Sequence, residues 1–466
     1  MSEIIRSLQN DLNEFSADLH LIGGEMLQGR HPGEHPDNFG AGAMVQPATP
    51  EAAAAIVCWC LENNVPIVPQ GGRTGLVGGG VSRPGELIVS TARLNHIEVI
   101  DPLARTATVG AGVTLQALQE AAAEFGLTPG IDLAARGTAT IGGMIATNAG
   151  GILAFRNGVM RHQVLGIEAV MPDGSLVNDL TRVLKVSAGP DIKQLLIGSE
   201  GAYGLVTRAV VKLESFNPQR ATALVGVQDA TSALALVGHF RAQPAVQLEG
   251  AELMWHNFFL DSARERGFEV DWLEDETPAV LLMEVSAARE ADARSALEEG
   301  LAALWEEHGL TSGIVAASLD QARRFWALRE ESDFIYRVQP GAPSFDVSVP
   351  PGALDAYVAG LKARLKAIDA GFDAYVYGHI ADGNLHISVL GDGVTAASVK
   401  APIEDAVYTG VAETGGSFSA EHGVGMEKRR AYLIFGNPAR RAVAQAIKTA
   451  LDPKNLFNPG KVPYSA

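Results

Sequence analysis

Pro69-Gln-Gly-Gly-Arg-Thr-Gly-Leu-Val-Gly-Gly-Gly-Val81 is the stretch on which the reading of this chain turns. It follows an apolar segment, Val65-Pro-Ile-Val-Pro69, that reads as a strand, and precedes another, Glu86-Leu-Ile-Val-Ser90. Two glycine groups this close at a strand end let successive backbone N–H groups face an anion. No Lys-Ser or Lys-Thr follows, so the spacing is not that of a P-loop. No helix starts where a dinucleotide GxGxxG would need one. Glycine is dense beyond the loop too, with 51 in 466 residues, where ~7% usage gives roughly 33. Glycine at that density, without low complexity, marks backbone that turns tightly or passes close to a ligand.

Two further loops share this composition. One combines Asp132 with Gly137-Thr-Ala-Thr-Ile-Gly-Gly-Met-Ile-Ala-Thr-Asn-Ala-Gly-Gly151, and the other is Gly198-Ser-Glu-Gly-Ala-Tyr-Gly-Leu-Val206. Three such loops at strand ends suit a long, flat, diphosphate-bearing cofactor approached by backbone. Around them the pattern is α+β. The first thirty residues read as helical, with Ile4, Ile5, Leu8, Leu12 and Phe15 on one face. Helices are expected over 50–63 and 115–125, a hairpin over 97–101 and 106–109, and strands over 166–171 and 204–213, closing a domain near Phe216. From Arg220 helices over 231–242, 288–308, 319–337 and 351–368 alternate with strands such as 279–285 and 374–377, which suggests a sheet with helices on one face. The tail is helical from Asn437 to Leu451 and stops at Asp452-Pro453.

Composition excludes several classes. A formal charge of −18 argues against nucleic acid and anionic membrane as partners, since both reward Lys and Arg. An anionic small substrate would need a local positive centre. No secretory signal and no ~20-residue apolar span is visible. The two cysteines, Cys58 and Cys60, lie two apart on a helical segment, where side chains do not face each other. The chain reads as cytoplasmic, in a reducing compartment.

The sharper chemical signal is Gly378-His-Ile-Ala-Asp-Gly-Asn-Leu-His386. Asp382-Gly383 predicts a two-residue hairpin turn, which sets His379 opposite His386 on one face. Two imidazoles so placed chelate a divalent metal. Ser419-Ala-Glu-His-Gly-Val-Gly425 then supplies Glu421, which would complete a His₂Glu site with open positions, and His422, a candidate general base.

The three glycine-rich loops resemble the FAD domain of vanillyl-alcohol-oxidase-type flavoproteins, over roughly 43–216. The resemblance implies FAD extended between two sub-sheets, with its pyrophosphate on Gly71–Gly80. Contacts carried over by motif position are Pro69, Gly71, Gly72, Arg73, Thr74, Gly75, Leu76, Gly78 and Gly79 in the first loop. The second loop contributes Asp132, Thr138, Gly142, Gly143, Ala146, Thr147, Asn148, Gly150 and Gly151, and the third Glu200, Gly204 and Val206. Some relatives attach FAD through a His just after Gly-Gly. Arg73 stands there, so the flavin is expected to be non-covalent.

The histidine hairpin, the Glu-His-Gly motif and the closing Leu451-Asp-Pro-Lys-Asn-Leu-Phe-Asn-Pro-Gly-Lys461 resemble the FAD-linked D-2-hydroxyacid dehydrogenases. That resemblance implies a PCMH-type FAD-binding domain over 1–216 and an α+β substrate (cap) domain with an antiparallel sheet over 217–417. A segment over 418–466 would return to the first domain and complete the active site. It implies one divalent metal on His379, His386 and Glu421, with Zn the first expectation and Mn or Fe the alternatives. His422 takes the hydroxyl proton while hydride passes to flavin N5, and Arg329 in Trp326-Ala-Leu-Arg-Glu330 holds the substrate carboxylate. Electrons go to a non-NAD acceptor: quinone, a cytochrome, an electron-transfer flavoprotein or oxygen. A homodimer is compatible with this reading.

Where the D-2-hydroxyglutarate enzymes of the family carry Thr, Lys and Asn for the distal carboxylate, this chain has Asp333, Ser344 and Ser388. The expected substrate is therefore D-lactate or another monocarboxylic 2-hydroxy acid. D-2-hydroxyglutarate dehydrogenase, a glycolate oxidase-like subunit and a non-redox FAD-dependent transferase are the alternatives.

Overall fold

The computed structural model describes residues 3–464. They form two compact units, 3–216 with 421–464, and 217–420.

The first unit holds two sheets. Its four-stranded sheet runs in the order Leu19–Gly23, Ala43–Pro47, Leu87–Ser90, Ile67–Gln70. The first pair is antiparallel and the others parallel. The crossover helix Pro50–Asn63 is set by its ends. Thr49 caps it by accepting the Ala52 N–H, Pro50 opens it, and Asn64 stops it in the left-handed conformation. Its Ile56, Val57 and Cys60 pack on Val45, Ile67 and Val89, beside Ile5 and Leu8 of the N-terminal helix.

The second sheet runs Ile97–Asp101, Thr106–Gly110, Leu205–Ser215, Val164–Val170, Leu176–Asp179, antiparallel throughout. The chain's end ties the two sheets. Phe457 is buried in the first core, Val462 and Tyr464 in the second. Lys448 is 2% exposed, and its ammonium donates to Ala202 O, Phe457 O and the Asp452 carboxylate at 2.6–2.9 Å. Lys461, fully buried, pairs with Glu86 at 2.6 Å.

The N-terminal stretch departs from an all-helical reading. Helix covers Glu3–Asp11, but Leu19–Gly23 is a strand. Leu19 and Leu21 alternate and pack toward the first core, so a period of two, paired to Ala43–Pro47, overrides the local helical pattern.

The second unit is built on one antiparallel seven-stranded sheet, ordered Gly313–Val315, Gln219–Val227, Ala279–Ala287, Gln247–Trp255, Asp373–His379, Asn384–Leu390, Ser344–Ser348. Phe258, Phe259, Phe325, Phe334 and Tyr375 form its aromatic core, with Phe258 stacked on Tyr377 at 4.0 Å between centroids.

Two expectations fail here. The helix foreseen over 319–337 is two, Leu319–Glu330 and Phe334–Val338. Ser332 and Asp333 lie at the break, residue types that favour helix termini, and Arg266 grips the Glu331 carboxylate at 2.6 Å. The hairpin turn is also longer than two residues. His379 pairs with Asn384 and Tyr377 with His386, so His379 and His386 are diagonal rather than directly opposed. The four-residue connection 380–383 folds inward because Ile380 is fully buried and donates its N–H to Ala251 O. The Gly383 N–H closes the turn on His379 O, at φ +79°.

Candidate functional site

A cavity of about 330 Å³ opens in the first unit, walled by all three glycine-rich loops. Backbone comes close enough that side chains are excluded. A Cβ on Gly72 would overlap Thr138 O, and one on Gly71 would overlap the Thr140 hydroxyl. Of the residues carried over by motif, Pro69, Gly71, Gly72, Arg73, Thr74, Gly75, Leu76, Gly79, Gly142, Gly143, Ala146, Thr147, Gly150, Glu200, Gly204 and Val206 line it.

Gly78, Asp132, Thr138, Asn148 and Gly151 do not line it, and each has another structural task. Asp132 holds Arg136 and Gln119. Asn148 ends the helix Ile141–Thr147 in the left-handed conformation and accepts the Arg161 N–H. Thr138 backs Gly72, Gly151 at φ +76° lies against the Asp132 carbonyl, and Gly78 turns the loop at φ +74°. Asn38, Gln70, Thr140 and Ser199 also line the cavity. Gln70, Thr140 and Ser199 lie inside the quoted glycine-rich segments, where the glycines drew the reading, and Asn38 is a single polar residue that no motif marks.

Two features of the wall fit an extended cofactor that carries both anionic oxygens and N–H or O–H donors. Arg73 has φ +59°, sits 5.1 Å over the Phe39 ring, and its buried Nε has no hydrogen-bond partner. Burial, with the Arg30 charge adding to it, holds its pKa below the usual arginine value. Gln70 is pinned from below by donating to Asn38 O and Gly80 O at 2.7 Å, leaving its Oε1 buried without a donor.

Glu421 and His422 line this same cavity. The Glu421 carboxylate accepts the Gly151 N–H at 2.5 Å. The loop behind them is clamped by Glu200, which accepts the N–H groups of Val424 and Gly425. Burial pushes the Glu200 carboxyl up to about 7, although these two N–H bonds and the Lys428 charge pull the other way. The cavity therefore joins a backbone cradle to a histidine and two carboxylates.

In the second unit His379 and His386 project from one face of the sheet, with ring centroids 5.4 Å apart. Each stands opposite a buried carboxylate on the neighbouring strand, Glu252 for His379 and Asp346 for His386. Asn384 shares their face. Its Nδ2 donates to Val347 O, and its Oδ1 is buried without a donor. Arg329, 8% exposed, lies 4.8 Å over the Tyr377 ring. It is not an uncompensated positive centre, because its Nε donates to Glu252 at 2.6 Å. Ser344 and Ser388 pair across strands, with hydroxyls 3.1 Å apart. Asp333 is exposed at the start of the helix Phe334–Val338. Glu252, Asp346 and Asn384 were absent from the sequence-derived site. The register of the neighbouring strands, which motifs do not report, brings in Glu252 and Asp346, and the longer turn sets Asn384, inside the quoted hairpin, opposite His379.

Comparison with known proteins agrees with this architecture. Residues 217–462 match the family model of FAD linked oxidases, C-terminal domain, and residues 41–179 match the FAD binding domain model. A D-2-hydroxyglutarate dehydrogenase of Xanthomonas citri pv. viticola is 37% identical over 433 residues, 90% of this chain and 89% of that protein. Another, from Stutzerimonas stutzeri, is 34% identical over 430 residues, 90% of each chain. A crystal structure of p-cresol methylhydroxylase with substrate bound shares the fold at TM-score 0.72 and 16% identity, over 98% of this chain and 95% of that one. The chain belongs to the FAD-linked oxidases, with a vanillyl-alcohol-oxidase-type FAD-binding fold. Within them it is a flavoprotein of the D-2-hydroxyacid dehydrogenase family, an oxidoreductase acting on CH–OH. Among the described residues no helix is long and apolar enough to cross a membrane.

Proposed function

We propose that this chain oxidises D-2-hydroxyglutarate to the 2-oxo acid and passes the electrons to an acceptor other than NAD. The observation that carries the chemistry is that His422 and Glu421 share the wall of the cavity built by the glycine-rich loops. A base placed there reaches an acid seated over a flavin. The relatives carry the substrate argument: those at 37% and 34% identity bear the name D-2-hydroxyglutarate dehydrogenase. They favour this substrate over D-lactate, which the residues Asp333, Ser344 and Ser388 had suggested.

Bound FAD supplies the hydride acceptor. The chain's part is to hold and deprotonate the acid. His422 takes the hydroxyl proton. Arg329 offers two Nη groups to a carboxylate, its Nε being committed to Glu252. By the family resemblance His379, His386 and Glu421 would supply a His₂Glu donor set, which suits a divalent metal with open positions. Such a metal, Zn first among the candidates, would lower the hydroxyl pKa. The His379 contact to Glu252 through Nδ1 orients the ring, and Nε2 is the ligand atom in this reading. The reading places the reaction in the cytoplasm.

The test is anaerobic mixing of the purified flavoprotein with single acids, followed by the visible flavin band. D-2-hydroxyglutarate should bleach it at a saturable rate, while L-2-hydroxyglutarate should not. Faster bleaching at lower concentration by D-lactate would overturn the substrate assignment. No bleaching by any D-2-hydroxy acid would overturn the reaction itself.

A further inference from the structure

Glu252 lies outside every motif in the sequence, yet its side chain is fully buried in the middle of the seven-stranded sheet. Each carboxylate oxygen has its own partner. Oε1 meets His379 Nδ1 at 2.5 Å, and Oε2 meets Arg329 Nε at 2.6 Å. We propose that Glu252 is a positioning residue that orients His379 and Arg329 together, so one side chain sets both a metal-binding imidazole and the guanidinium that anchors the substrate carboxylate. The inference rests on the roles assigned to those two residues above.

Three features support it. First, the pairing is built into the backbone: Glu252 is the direct cross-strand partner of His379 in the antiparallel register. Second, a carboxylate that accepts the Nδ1–H hydrogen bond fixes the imidazole tautomer and ring orientation, with Nε2 as the metal-ligating atom. Third, Arg329 is held side-on. Its Nε is used by Glu252 and its plane lies over Tyr377, while its two Nη groups bond to no described residue. A guanidinium fixed this way presents a flat fork to an incoming carboxylate.

Holding the helix in place is not the task of this contact alone. Trp326, three residues before Arg329 on the same helix, donates its indole N–H to Glu284 at 2.8 Å. Removing the Glu252 charge therefore leaves a second polar anchor between helix and sheet.

The bridging role has a signature that single-site roles lack. Arg329→Ala should raise KM for D-2-hydroxyglutarate and leave the affinity for Mn2+ near that of the parent. His379→Ala should weaken Mn2+ binding. Glu252→Gln, which keeps the shape and loses the charge, should do both: weaken Mn2+ binding ~10–100-fold and raise KM. Mn2+ affinity is measured on the chelator-treated flavoprotein by loss of the free-ion EPR signal, and KM on the metal-reconstituted enzyme. Glu252→Asp should not restore either value, because the shorter side chain cannot reach both partners.

Parent-like Mn2+ affinity and KM in Glu252→Gln would overturn the proposal. A change in only one of them would reduce Glu252 to a partner of one residue and overturn the bridge. If Glu252→Gln loses its flavin, Glu252→Gln with Arg329→Met removes both charges together. Mn2+ binding weaker in that pair than in Arg329→Met alone supports the His379 half of the bridge, and affinity equal to that of Arg329→Met overturns the proposal. Failure of the underlying reading looks different: the parent protein itself would bind no Mn2+ or oxidise no D-2-hydroxy acid.

Discussion

The Glu200 carboxylate accepts the Gly425 N–H at 2.9 Å across 225 residues of sequence, and so locks the loop after His422 to the third glycine-rich segment. The carboxyl titrates near 7 because it is buried. A folded-state value raised above the unfolded one means that folding favours the protonated form. That stability is full below about 4.5, the ordinary carboxyl value, and is lost as the pH climbs to about 7. Glu200→Gln has no such dependence. Its stability should gain on the parent's as the pH rises through this window, by on the order of 3 kcal/mol at most, read as a rise in its thermal midpoint relative to the parent's. Parallel melting curves across the window would show that Glu200 does not titrate there.

Arg73 occupies the place after Gly71-Gly72 and offers no nucleophile for a flavin link. Acid precipitation should leave all yellow colour in the supernatant. Colour in the pellet would reveal a covalent bond formed elsewhere in the cavity.

His422 and Arg329 should fail in different ways. Loss of a general base acts only in the transition state, so His422→Ala should lower kcat by ~10²–10⁴-fold with KM little changed. Arg329→Ala removes a contact present in ground and transition states alike, so KM should rise most. Stopped-flow flavin reduction by saturating substrate separates both from reoxidation. Parent-rate reduction in His422→Ala would assign the base to another group.

Removal of the metal should silence turnover and leave the flavin spectrum nearly unchanged, since His379, His386 and Glu421 are assigned to substrate activation rather than to flavin binding. Chelation followed by Zn2+ or Mn2+ addition tests this. Full activity at verified zero metal content would remove the metal from the reaction.

Lys448→Met should destabilise the fold by ~3–5 kcal/mol, because it leaves the buried Asp452 carboxylate without its counter-charge and takes a donor from two carbonyls. Denaturant unfolding followed by flavin release measures it. The loss should exceed that for Lys454→Met, whose ammonium is exposed and reaches only Leu61 O.

The sequence alone determined the elements whose cause is local. Thr49-Pro50 and Asn64 delimit a helix through capping and left-handed geometry. The glycine loops announce close backbone approach because only a residue without Cβ fits against Thr138 and Thr140. Motif residues were legible as types: two histidines on one face of a hairpin, and a glutamate and a histidine among glycines. What depends on register and distant packing was decided only by the tertiary structure. Burial of Ile380 lengthened the hairpin turn and moved His379 opposite Asn384. Strand order placed Glu252 beside His379, although 127 residues separate them. Arg329 then met the same carboxylate from a helix, so its compensated charge is a product of the fold. A carboxylate's partners and pKa follow from what surrounds it in space, and neither Glu200 nor Glu252 carries that information in its neighbours along the chain.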